Sequence, residues 1–499
     1  MTDGLTVGAV VANAATGAPD AVAAVVDGRT HSFAQLDQAA TMCAQRLVGA
    51  DLQRGDVVLV LAGTSFDLLA QFVGCARAGV VFAPLNPALD AGTIASVAER
   101  VAASACIVDE VNRPLARALT VPTLAVEEAA EQGTHTRLPA VTADDGHVAF
   151  FTSGSTGLPK AALLSHRTSV LRSHPGSQLE PRGPALCPYP LFHMGGWTIA
   201  LQQWHARAGV VFVDQTDPQS LAHALGTQRI ERFNAIPALW TRLADQLGER
   251  ADGAFPDLRF ADTGTSPTSL SLLETIARMA PNAHVRVFYG STEAGNVASL
   301  HHEDVARKPG SCGRPSPLTA VRLAPDQELC VQGPLLFDGY LGDAEATQQV
   351  LVEGWYHTGD QATIDPEGFI TITGRLGTVI RTGGEAVTPE VVETALAAHP
   401  AITDVAVFGV DDQQWGEIVW AAVVCGQPLD LDDVRHHLAR GGPRPLAAHQ
   451  RPRGLLVLDA LPRTPATGQV DRHRLRRLAA ELGQRETDPW ARPLTDWRG

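Results

Sequence analysis

The stretch 150-FFTSGSTGLPKAALLSH-166 decides how this chain is read. The apolar run HVAFF (147–151) leads into it, and AALLSHRTSV leads out. Between them, the ten residues Phe151 to Lys160 hold two glycines, Gly154 and Gly157, and four hydroxyl side chains, Thr152, Ser153, Ser155 and Thr156. Such a composition suits neither a packed core nor a helix. Backbone N–H groups of a glycine-rich loop can converge on phosphate oxygens, because no Cβ blocks the approach. The hydroxyls add donors, and Lys160 adds positive charge. The run is therefore a candidate anion cradle. It is not a P-loop, which needs G-x-x-x-x-G-K followed by Ser or Thr, whereas Lys160 precedes Ala161. A plain surface turn has the same composition, so the surroundings must decide.

Upstream, DVVLVLA (56–62), VVFAPL and SACIVD read as strands, separated by SFDLLAQFVGCARAG and DAGTIASVAERVAA, which read as helices. In the first of these helices Phe66, Leu69, Ala70 and Val73 fall on one face. The alternation resumes with GVVFVD, SLAHALGTQRI and FNAIPALWTRLADQL. Strand–helix alternation of this kind predicts an α/β fold, sheets covered by helices. After about residue 375 the texture changes to TPEVVETALAAHP, DVAVFGV, EIVWAAVVC, DDVRHHLARG, GLLVLDAL and DRHRLRRLAAELG, a compact α+β unit. The expected organisation is a large, multi-subdomain region over 1–374, a hinge at 375–379, a small mobile domain over 380–483 and a tail at 484–499.

The bulk properties exclude several classes. A formal charge of -15 without a long basic run argues against nucleic acid. The longest apolar runs are strand-length, far short of a membrane span. Neither a signal-peptide pattern nor a C-x-x-C pair is present, and the seven cysteines are scattered and odd in number, so a cytoplasmic setting with reduced thiols is expected. Only two lysines, Lys160 and Lys308, are available for any lysine chemistry.

With the surroundings included, the chain resembles the adenylate-forming superfamily of acyl- and aryl-CoA ligases, luciferases and adenylation domains. The resemblance rests on 150–166 and on six further motifs in family order: ARAGVVFAPLNP (76–87), YPLFHMGG (189–196), YGSTEAG (289–295), GYLGDAEAT (339–347), GWYHTGD (354–360) and GFITITGRLGTVIRTGGEAVTPEVVE (368–393). It spans roughly residues 30–480. It implies ATP and Mg²⁺ as cofactors, a carboxylic acid as substrate and, for ligases, CoA as acceptor. Thr152, Ser153, Gly154, Ser155, Thr156, Gly157 and Lys160 would cradle phosphates. Tyr289, within Tyr289-Gly290-Ser291, would stack on adenine, flanked by Gly264, Thr265 and Ser266. Thr292 would donate to the α-phosphate, and Glu293, with Thr156, would face Mg²⁺. Asp360 would accept the ribose hydroxyls, Arg375 would sit at the ribose and the domain junction, and His193 would gate the acyl and thiol channel. Phe192, Met194 and Trp197 are candidates for an acid pocket, and His166 reads as structural.

Two positions depart from the family pattern. The C-terminal loop that carries a lysine in the family reads PRTPATGQVDR from Pro462, which places Gln469 at that lysine. Gln469 donates a hydrogen bond but brings no charge, and Arg463 and Arg472 are the nearby cations. Two residues past Arg375 the hinge carries Gly377 in place of Asp or Lys, a change that widens backbone freedom. Three readings follow. The first is an ATP-dependent ligase joining a small or aromatic acid to CoA. The second is a repurposed adenylating enzyme, either a diazotase using nitrite or an amide synthetase. The third is a catalytically silent nucleotide binder. Oligomeric state stays open.

Overall fold

The computed structural model describes residues 5–127, 137–152, 158–174, 183–213, 217–376, 378–382, 385–412, 414–440, 446–463 and 470–486. It is an α/β protein with a large N-terminal domain and a small C-terminal one. By contacts the chain divides into a first unit of residues 1–322, 330–357 and 364–371, and a second of 323–329, 358–363 and 372–499.

The first unit is built on two large sheets. One runs, in spatial order, Gly339–Tyr340, Lys160–Ser165, Gly146–Thr152, Val81–Pro84, Val57–Leu61, Ala103–Val108 and Thr123–Ala125. Its centre is parallel, as crossover helices require, and the pair Gly146–Thr152 and Lys160–Ser165 is antiparallel. The other sheet places His284–Ser291 beside Phe260–Gly264, then Arg232–Asn234, Ala185–Cys187 and Val210–Phe212, all parallel. Strand Gly295–Leu300 closes its other side by turning back antiparallel on His284–Ser291.

Local sequence signals set the helix ends. Ser32, Ser65, Asp90, Ser165, Asp217 and Ser269 each accept a hydrogen bond from an amide in the first turn of the helix that follows. The helix Phe66–Ala78 departs from the one-faced expectation: it is buried nearly all round, from Leu68 through Ala76. A Cβ on Gly74 would lie 2.5 Å from Cys43 Cβ, so that glycine lets the helix Phe33–Gly49 pack directly upon it.

The second unit carries an antiparallel sheet ordered Glu385–Val387, Ile380–Thr382, Gly416–Cys425 and Ile402–Asp412, with Gly454–Val457 parallel to Gly416–Cys425. Helices Pro389–Ala397, Leu431–Arg440 and Arg472–Glu486 accompany it, where the sequence pattern puts them. Thr388 opens the first of these without a side-chain cap bond. Its methyl would instead touch any Cβ on Gly374, at 2.5 Å.

Candidate active site

The phosphate-loop candidate is anchored as a hairpin, with Thr152 directly opposite Lys160 in the ladder. A second tight reversal pairs Ser291 with Gly295 and projects Thr292, Glu293 and Ala294, while Ser291 Oγ accepts the Ala294 N–H at 3.1 Å. The two reversals converge on Glu293, which is only 7% exposed. One oxygen of its carboxylate accepts the Thr152 hydroxyl at 3.2 Å and the Tyr340 hydroxyl at 2.9 Å. The Lys160 ammonium sits 5.1 Å from the centre of the Tyr340 ring. Thr152, Lys160 and Glu293 are therefore brought together, and Tyr340 joins them as a residue the sequence reading had not singled out, although it lies in a quoted motif.

The Gly264–Ser266 turn follows the end of a strand beside Tyr289. Thr265 takes a left-handed φ of +67° and donates its hydroxyl to the Gly264 carbonyl at 2.6 Å. Such a conformation costs a β-branched residue of order 1–2 kcal/mol and is held by its surroundings. Gly264 and Gly290 have a packing role: an added Cβ would lie 2.1 Å from the Phe288 carbonyl oxygen and 2.0 Å from that of Gly295, respectively. Tyr289 and Thr292 are both half-buried.

His193 precedes the helix Met194–His205, half-buried beside Phe192, and burial lowers its pKa from the usual histidine value. Trp197 is a core residue. Its ring stacks on Phe72 at 3.9 Å and its indole N–H donates to the Leu191 carbonyl at 2.7 Å. His166 is fully buried, accepting the Val7 N–H at Nδ1, and its ring stacks on that of His147.

Arg172 is the functional candidate that sequence reasoning missed. It stands half-buried behind the Thr292–Glu293 turn, and its guanidinium donates to the carbonyls of Thr292, Glu293 and Leu335 at 2.8, 2.9 and 2.8 Å. Burial pulls its pKa down to about 10, with Glu293 opposing the shift.

In the second unit Asp360 and Arg375 are brought together, Nε to Oδ1 at 3.2 Å, with Arg375 the more exposed partner. Arg463 pairs with Asp404 at 2.7 Å, and Arg472 pairs with Glu393 at 2.7 Å while also donating to the Val407 carbonyl. Both arginines near position 469 are thus engaged within their own unit. Lys308 is engaged in the first unit, 2.6 Å from both Asp365 and Glu367. Ser153, Gly154, Ser155, Thr156, Gly157, Gly377 and Gln469 lie outside the described residues.

This arrangement suits a polyanion and a hard cation. Glu293 offers carboxylate oxygen, the ligand type Mg²⁺ takes, and the hydroxyls of Thr152 and Tyr340 orient it. Lys160 supplies the positive charge.

Comparison with known proteins agrees with this chemistry. The model for the AMP-binding enzyme family matches residues 11–341, and that for the AMP-binding enzyme C-terminal domain matches 391–467. The chain is similar to a feruloyl-CoA synthase of Amycolatopsis, 32% identical over 92% of this chain and 96% of the relative. In structure it resembles ATP-bound MatB from Rhodopseudomonas palustris, with TM-score 0.84 and 26% identity over 97% of this chain and 100% of that one. It also resembles the amide bond synthetase McbA from Marinactinospora thermotolerans, with TM-score 0.82 and 25% identity over 94% and 99% of the two chains. The chain belongs to the AMP-binding enzyme family. It is an adenylate-forming enzyme of the ATP-dependent acid–CoA ligase type. No helix among the described residues is long and apolar enough to cross a membrane.

Proposed function

We propose that this enzyme activates a small or aromatic carboxylic acid as its acyl-adenylate and passes the acyl group to the thiol of CoA. The meeting of the Thr152 and Tyr340 hydroxyls on the buried Glu293, with the Lys160 ammonium over the Tyr340 ring, carries the reading, because it sets one cation, one carboxylate and two hydroxyls beside the ends of the glycine-rich run. In the first step the acid's carboxylate oxygen attacks the α-phosphorus of ATP, and pyrophosphate leaves. In the second, the thiol attacks the activated carbonyl and AMP leaves. No protein nucleophile is needed, so catalysis is positioning plus neutralisation of charge. Lys160 and the hydroxyls of 152–156 would hold the β- and γ-phosphates, Thr292 would donate to the α-phosphate, and Tyr289 would stack on adenine. Asp360 and Arg375 would address the ribose, and His193 would stand at the acid and thiol channel. Glu293, with Thr156, would hold Mg²⁺, which when bound neutralises phosphate charge. The hinge would lie at 375–379, where a glycine at 377 widens backbone freedom.

Gln469 favours a second reading, in which the activated acid is nitrite or the acceptor is an amine. Arg463 and Arg472 are held by Asp404 and Glu393, so neither is idle to replace a missing lysine charge. The test is the fate of ATP, followed by mass spectrometry with a pooled acid panel that includes nitrite, with and without CoA. AMP with an acyl-CoA product supports the ligase. AMP formed only with nitrite or an amine supports the second reading, and ATP left intact under every condition removes both. Restoring the charge by Gln469→Lys should raise the rate of pyrophosphate release with simple acids by about 10²-fold or more, the usual size of one transition-state contact. No gain would mean that the loop or the substrate has been reshaped around glutamine.

A further inference from the structure

Arg172 is an expensive residue for its place. Taking a guanidinium even partly out of water is unfavourable, and an apolar side chain could fill the same place without that cost. Among the described residues no carboxylate lies within ion-pair distance of it. Its compensation comes from main-chain oxygens of two separate segments. Nη1 donates to Thr292 O at 2.8 Å, Nη2 to Glu293 O at 2.9 Å, and Nε to Leu335 O at 2.8 Å. Nη1 also lies 3.1 Å from the sulfur of Met194, the residue after His193. Gly295 makes room for this fork. Its φ is +69°, and a Cβ there would lie 2.8 Å from Arg172 Nε. The final glycine of YGSTEAG therefore serves both the reversal and the arginine behind it.

We propose that Arg172 is a positioning residue for nucleotide and metal binding, gripping the backbone of Thr292 and Glu293 so that their side chains face the phosphates and Mg²⁺. The proposal rests on the nucleotide site described above. The planar fork meets two consecutive carbonyls with two separate nitrogens at fixed spacing, whereas a lysine ammonium would have to serve both from a single nitrogen. The grip also puts a half-buried positive charge behind the turn toward which the phosphates would face. Groups that orient a metal ligand from behind typically govern metal affinity or activity by about 10- to 100-fold.

The test is calorimetric binding of Mg²⁺ with a non-hydrolysable ATP analogue to the full chain, compared with Arg172→Gln and Arg172→Lys. The expected result is affinity lowered about 10- to 100-fold in Arg172→Gln and by an intermediate factor in Arg172→Lys, in protein whose circular dichroism is unchanged. Wild-type affinity in a folded Arg172→Gln, whatever its melting temperature, would reduce Arg172 to packing and overturn the proposal. Should Arg172→Gln fail to fold, Arg172→Lys decides in the same way, because it keeps the charge and loses the fork. If the wild type binds the analogue but releases no pyrophosphate with any acid, the ligase reading fails while this comparison still stands.

Discussion

Lys160 is one of two lysines in 499 residues, and the other, Lys308, is spent on Asp365 and Glu367. Among the described residues no carboxylate stands within ion-pair distance of Lys160, and its ammonium rests over the Tyr340 ring, a weak cation–π contact that leaves its charge available. Lys160→Ala should therefore lower pyrophosphate release by about 10²–10³-fold, the cost of one preorganised contact to developing charge. Stability should change little, because the side chain is only partly buried. Near-normal turnover in the variant would remove Lys160 from the phosphate site. Lys160 and Glu293 were legible in sequence because motif spacing marks them. Arg172 was not. It is one of 37 arginines, on a helix, His166–Ser173, whose buried residues are mostly polar: His166, Thr168, Ser169 and Ser173. Hydrophobic periodicity carries no trace of such a face, because its burial is decided by partners distant in the chain.

At the scale of elements, glycines report how closely strands and turns approach. Gly264 and Gly226 make a pair of opposites. A Cβ on Gly264 would stand 2.1 Å from a main-chain oxygen of the neighbouring strand, which cannot yield as a flexible side chain does. Gly226, near the end of the helix Pro218–Thr227, has nothing within 4 Å of its Cβ position. Gly264→Ala should cost about 1–3 kcal/mol by overpacking, and Gly226→Ala should stabilise by a few tenths to about 1 kcal/mol through helix propensity and a less free unfolded chain. Thermal unfolding of the two variants reads the opposite signs directly, and equal shifts would mean that the close approach at Gly264 is relieved by strand movement. Element positions themselves were largely legible: DVAVFGV and EIVWAAVVC lie within the strands Ile402–Asp412 and Gly416–Cys425. What periodicity misread was the helix Phe66–Ala78. Its exposed-looking positions, Gln71 and Gly74 among them, are covered by the neighbouring helix Phe33–Gly49 and by the segment around Val126. A helix buried on all sides has no polar stripe to announce its orientation.

For the molecule as a whole, the α/β class and the change of texture near residue 375 could be read from the chain, whereas a pair of histidines deep in the first unit could not. His147 and His166 stack at 4.8 Å, both fully buried, and among the described residues neither nitrogen of His147 nor Nε2 of His166 has a hydrogen-bond partner. Burial holds His166 down to about 4 and His147 well below the ordinary value, with His166 adding to the shift of His147. Unfolded histidines titrate near about 6.5, so between that value and the folded ones the unfolded chain binds more protons. The pair therefore carries no protonation cost above about pH 6.5, and stability falls as pH drops from there toward 4, by up to about 3 kcal/mol for His166 alone. Carboxylates contribute their own slope at the acid end, so the informative quantity is a difference between proteins. His147→Leu removes a ring that has no hydrogen-bond partner among the described residues and sits edge-on to Phe72, so it should leave the melting temperature at pH 7.5 within a few degrees of wild type. Its melting temperature should then decline less than that of the wild type between pH 6.5 and 4.5. Parallel declines would show that the buried rings shed their protonation cost through local opening before the fold feels it.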